Sequence, residues 1–233
     1  MSRSSLSNLL QNQALWRASE GATLGASASD WGALDAQLPG GGFPTGAVTE
    51  ILCQRPGSGE LGLLLPLLAR LTQADNRRQA ALICPAFPPY GPGLAAAGID
   101  LRRFLIINSF EAADALWSAE QCLASGLFSA LMLQGASDTA HIRRLQLAAR
   151  DADAMVFSFR PLSAARRPSP AALRLQLEPG QTGPTLTILK CRGPAGSQVQ
   201  LAQDEYGRAA SAAATTYPTA PDSQLRPRLS VVS

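Results

Sequence analysis

The chain has 233 residues, 46% of them hydrophobic, enough for one substantial α/β core with extensions. Its net charge of +3 is mildly basic and carried almost wholly by arginine, so charge alone does not mark a nucleic-acid binder. Lys190 is the one lysine and His141 the one histidine, and Cys53, Cys84, Cys122 and Cys191 form no C-x-x-C pair. This composition argues against a disulfide framework, a zinc site and a Ser-His or Cys-His catalytic pair, so buried reduced thiols are expected.

Ser5–Ser19 has the composition of an amphipathic helix, with Leu6, Leu9 and Leu10 on one face and Trp16 and Arg17 at its end. Such a helix either folds back on its own core or docks on another protein through Trp16 and Arg17. Residues 21–33 are small and polar and read as a linker. Ala47–Leu52 is a strand, followed by the loop Pro56, Gly57, Ser58, Gly59 and then an apolar helix over Leu61–Ala74. Gln79–Cys84 is the next strand and runs into the breaker-rich PAFPPYGPG. A short helix over Leu94–Ala97, a strand over Phe104–Ile107 and a helix over Glu111–Ser125 follow. Then come strand Phe128–Leu133, helix Thr139–Asp151 and strand Ala154–Phe159. Ala172–Leu177 and Thr185–Lys190, joined by EPGQTGP, read as a hairpin.

Strands alternating with helices point to an α/β fold: a mainly parallel sheet, helices on both faces and an antiparallel C-terminal edge. The core is expected over 34–195, with a helix over 1–20, a linker over 21–33 and a disordered tail over 196–233. No run reaches the roughly 18–20 apolar residues of a membrane span. The first residues lack a signal-peptide pattern, so a cytoplasmic protein is expected.

The loop before Leu61 has the outline of a phosphate-binding loop without its chemistry. A P-loop needs a lysine after its last glycine to reach the phosphates, then Ser or Thr to hold magnesium. Glu60 and Leu61 stand at those positions. Glutamate suits the helix dipole but repels polyphosphate.

The order of elements, with LPGGGFPTGAVTEI, resembles the RecA ATPase core over roughly 34–193. The resemblance implies a catalytic glutamate where Pro85 and Ala86 stand, and a magnesium-binding Walker B aspartate where Gln134 stands. With Glu60 and Leu61, three separate requirements for ATP hydrolysis are unmet. The expectation is a degenerate P-loop protein with no catalytic residues, no cofactor and no metal.

A closer likeness is to ImuA, a family of degenerate RecA-like bacterial proteins related to the cell-division inhibitor SulA. It is carried by ALWRAS, LPGGGFPTGAVTEIL, PGSGELGLLLPLLARL, PPYGPGLAAAGID, DALWSAEQCLASG, RRLQLAAR, FSFRP and LKCRG. The family implies a non-catalytic accessory role in SOS-induced translesion DNA synthesis. Its implied partners are an ImuB-type Y-family polymerase-like protein, RecA and, indirectly, an error-prone replicative-type polymerase. It also implies association with the nucleoid after DNA damage. The alternatives are a SulA-like division inhibitor that binds the tubulin-like FtsZ, and a residual ATPase.

Three surface candidates follow, each with a plainer reading beside it. Arg166 and Arg167, in LSAARRPSP after a strand, are placed to touch single-stranded DNA weakly, or simply to solvate a loop. Arg143, Leu147 and Arg150 follow i, i+4, i+7 spacing and form either a partner contact or a wet helix face. Tyr90, in the rigid FPPYGPG loop, is either an aromatic anchor or part of a cap on the vacant nucleotide pocket. Gly40, Gly41, Gly42 and Gly46 are expected to serve tight turns and positive φ.

Overall fold

A computed structural model describes residues 25–108, 112–135, 138–193 and 195–202. The strands are β1 (Ala26–Ser27), β2 (Phe43–Pro44), β3 (Ala47–Cys53), β4 (Gln79–Ile83), β5 (Phe104–Ile107), β6 (Phe128–Gln134), β7 (Met155–Pro161), β8 (Leu173–Glu178), β9 (Thr185–Lys190) and β10 (Gln198–Gln200). The helices are α1 (Gly32–Asp35), α2 (Glu60–Gln73), α3 (Gly91–Ala96), α4 (Ala112–Ala124) and α5 (Thr139–Ala152).

Strands β3 to β10 form one sheet in the order β10-β9-β8-β3-β7-β6-β4-β5. The pairings from β8 through β5 are parallel, and β9 runs antiparallel to both β8 and β10. β3, the strand that feeds the glycine loop, is buried at every position between β7 and β8. One face of the sheet packs on Leu63, Leu64, Leu67 and Leu68 of α2, the other on Ala119 and Leu123 of α4 and Ile142 and Leu145 of α5. This is the predicted mainly parallel α/β sheet with helices on both faces and an antiparallel edge.

Two domain boundaries differ from the sequence reading. The expected linker belongs in part to the core: β1 pairs with β2, Trp31 is buried, and its indole N–H donates to the Leu63 carbonyl at 2.7 Å. Arg70 of α2 holds the same stretch through Asp30 at 2.9 Å and the Ala28 carbonyl at 2.5 Å. Small polar residues read as flexible, but here they let the backbone lie close to its neighbours. The expected tail likewise begins too early. β10 adds a strand to the sheet edge, with Val199 and Leu201 buried.

Of the four loop glycines, Gly40, Gly41 and Gly46 have positive φ, as expected. Gly42 instead serves close approach, because a Cβ there would lie 2.2 Å from the Ser27 carbonyl oxygen. The helix expected over 1–20, with Trp16 and Arg17, lies outside the described residues, as does the chain beyond 202. Among the described residues no helix is long and apolar enough to cross a membrane.

Backbone cannot yield as a side chain does. Gly42→Ala is therefore expected to cost about 1–3 kcal/mol by forcing β1 away from its neighbour. Urea denaturation checks this, and an unchanged midpoint would contradict the contact.

Candidate functional site

The carboxyl edge of the sheet is where the loops after β3, β4, β6 and β7 gather. β3 ends at Cys53, and the loop then passes through Gly57 and Gly59 at φ 77° and 105° before α2 begins at Glu60. A helix N-terminus presents N–H groups with no helical partner and the positive end of the helix dipole, a setting that attracts an anion. The chain supplies one itself. The Glu60 side chain turns back and its Oε1 accepts the Gly57 N–H at 2.7 Å. Glu60 is only 5% exposed, and among the described residues its Oε2 finds no hydrogen-bond donor. Burial, with the Glu60 charge adding to it, pushes the Cys53 thiol from 9.0 up to about 12.

The other two corners expected around a nucleotide lie against this loop. A Cβ on Gly57 would come within 3.2 Å of the Phe87 ring, so the FPPYGPG segment leans over the glycine loop. The Ala86 N–H donates to Oε1 of Gln134 at 3.4 Å, joining the ends of β4 and β6. Tyr90 is exposed at the start of α3. The structure thus brings together Gly57, Glu60, Ala86 and Gln134, the positions singled out from separate stretches of sequence. What they form is a set of internal contacts. Lys190 stands on β9, two strands from β3, where its Nζ donates to the Ser169 carbonyl at 2.7 Å. Burial, and then the neighbouring Arg174, hold it below the ordinary lysine range.

A buried ion cluster adjoins this edge. Glu50 of β3 is fully buried and bonds Arg160 of β7 through one carboxylate oxygen and Arg174 of β8 through the other. Parallel pairing sets Arg174 directly beside Glu50 and Arg160 two residues further along β7 from its neighbour Ser158, all on one face of the sheet. Arg174 also donates to the carbonyls of Ala164 at 2.8 Å and Arg167 at 3.0 Å. These bonds, with that from Lys190, fasten residues 162–170 to the sheet. That segment, expected as a loop, opens with a 3-10 turn over Leu162–Arg166, and the Arg166 and Arg167 side chains are exposed on it. Pattern reading missed this cluster. The signal lay in lone charges within apolar strands, TEIL, FSFRP and LRLQL, since a charge in a covered strand must be paired.

The third candidate lies elsewhere, on the outer surface of α5. Arg143, Leu147 and Arg150 are all exposed there, with Leu147 at 57%. Asp138 caps α5 by accepting the His141 N–H at 2.7 Å. That bond holds the Asp138 carboxyl below its ordinary range, as does nearby Arg160. On the adjacent helix α4 sits an exposed tryptophan, Trp117, that sequence reading passed over. No family model matches the chain, and no curated protein does.

Two outcomes follow from this geometry. Glu50→Ala leaves two buried guanidinium groups without their counter-ion and is expected to cost about 3–5 kcal/mol. Replacing Glu50, Arg160 and Arg174 together by Leu, Met and Met should cost less than the single change, as chemical denaturation would read. Burial keeps the Cys53 thiol protonated at pH 8, so it should resist maleimide there until the chain unfolds. Labelling of native protein followed by mass spectrometry of the Cys53 peptide checks it.

Proposed function

We propose that this chain is a RecA-like protein whose nucleotide site has become a structural contact, and that it works as a non-catalytic accessory factor of SOS translesion synthesis of the ImuA kind. The observation that carries this reading is the Glu60 carboxylate, which takes the Gly57 N–H that a bound phosphate would use. Gln134 and Ala86, bonded to each other, leave neither a carboxylate for magnesium nor a general base at the ends of β6 and β4. β3 lies inside a mainly parallel sheet covered by helices on both faces, which supports the reading of a scaffold kept for its surfaces.

In this reading the partners are an ImuB-type polymerase-like protein and RecA on single-stranded DNA. Arg166 and Arg167 project from a segment anchored by Arg174 and Lys190, so their contact with phosphate is preorganised, weak and indifferent to base sequence. The amide and carboxylate chemistry of the loop edge contributes to shape alone.

The test has two arms. Magnesium-dependent ATP hydrolysis and nucleotide binding are measured on the wild type and on Glu60→Arg. Co-sedimentation with RecA–DNA filaments and pull-down with an ImuB-type protein are measured beside them. Expected are no turnover in either protein and association in the second arm. Hydrolysis by the wild type, lost in Glu60→Arg, would establish an ATPase instead. Inhibition of FtsZ polymerisation, without association with either partner, would establish a division inhibitor.

A further inference from the structure

The two edges of the main sheet are finished differently. β10 closes one with a polar three-residue strand, whose Gln200 amide is bonded back to the Gly183 carbonyl at 2.7 Å. β5 forms the other, and no described strand lies beyond it. Phe104–Ile107 holds no charge and no proline, and its pairing with β4 runs without a bulge, so it lacks the devices that ordinarily guard an edge. Leu105 is 42% exposed on one face of this strand and Ile106 is 38% exposed on the other. Ile107 turns its carbonyl to β4, where it accepts the Cys84 N–H at 2.8 Å. Alternation along the strand therefore turns the N–H and carbonyl of Ile106 outward, away from β4.

We propose that the chain guards this edge itself, with Leu229–Val232 adding to β5 as an antiparallel strand. The proposal is independent of the accessory reading above. Outward backbone groups select a strand as the occupant, and apolar side chains on both faces select one that is apolar on both. Outside the described residues, Leu229, Val231 and Val232 supply that pattern. Ser5–Ser19 carries a helical pattern instead, and residues 203–228 are mostly Ala, Ser, Thr, Gln and Pro. Thr215–Tyr217 favours a strand too, but it is polar and is stopped by Pro218.

Geometry permits the contact and sets its direction. β10 and β8 are each antiparallel to β9, so β10 runs with β8 and Ala202 leaves at the carboxyl edge of the sheet, where β5 also ends. A segment arriving from that edge meets β5 at its carboxyl end and runs antiparallel to it. Residues 203–228 reach about 85 Å when extended, against about 34 Å across the sheet from β10 to β5. A random chain of that length averages about 28 Å end to end, close to this span, which sets an effective concentration on the order of 1 mM. A second copy of β5, or a strand of another protein, competes with the segment only at a comparable concentration.

The readout is amide exchange at Ile106, resolved by residue in the full chain at micromolar concentration. Wild type is expected to exchange there about tenfold or more slowly than Val231→Pro and Val231→Asp, which remove a strand donor and bring a charge to the edge. Leu133 of β6 should exchange alike in all three, showing that the core stays folded. Ala213→Pro, outside the pairing segment, should leave Ile106 as in wild type. A peptide of residues 225–233, added to Val231→Pro at millimolar concentration, should restore the protection. Equal exchange at Ile106 in wild type and both Val231 variants would overturn the proposal, whether fast, meaning an open edge, or slow, meaning another cover. Protection that rises with protein concentration would overturn it in favour of a second copy.

Discussion

A carboxylate in the middle strand of a sheet covered on both faces can persist only if cations are delivered to it from within the sheet, because removing each ion from water costs several kcal/mol. Glu50 sets that condition here, and Arg160 and Arg174 meet it from the strands on either side. The consequences spread outward. A slip of one residue in β7 or β8 would turn an arginine to the opposite face, so the cluster fixes the register of three adjacent strands. The donors left on Arg174 then hold the carbonyls of Ala164 and Arg167. The segment bearing Arg166 and Arg167 inherits its position from an ion pair in the core.

The glycine loop obeys the same rule at smaller scale. A helix N-terminus beside a glycine turn is an anion site by construction, and such a site is filled either from solution or from the chain. Glu60 fills it from the chain. The same carboxylate reinforces the effect of burial on Cys53, so the end of β3 carries a neutral thiol beside a charge already committed to the backbone. The loop has the glycine turn and helix start that suit an anion, and the chain's own carboxylate occupies them.

Much of this was legible beforehand, and for identifiable reasons. The strands and long helices stood out because Ala47–Cys53, Phe128–Gln134 and Glu60–Gln73 are mainly apolar stretches flanked by glycine and polar residues. The loop corners could be placed because each follows a strand at the same edge of the sheet. The start of the core was missed because Gly25–Ser29 is compositionally a linker, and only long-range contacts from Trp31 and Arg70 make it part of the structure. The last strand was missed although QVQL alternates, since three residues are too few to carry a period. Trp117 was passed over because a tryptophan in an apolar helix is ordinarily core. Only the three-dimensional packing shows which side it takes.

The single lysine has a practical meaning of its own. Lys190 is half-buried on β9 and tied to the Ser169 carbonyl, which leaves the described surface almost free of primary amines. Reagents that couple through lysine will therefore return few links from any complex this protein forms, however tight. A sparse amine cross-linking map would then reflect the chemistry of the surface, not the absence of a partner. Reagents directed at carboxylates or guanidinium groups are the ones that can report its neighbours.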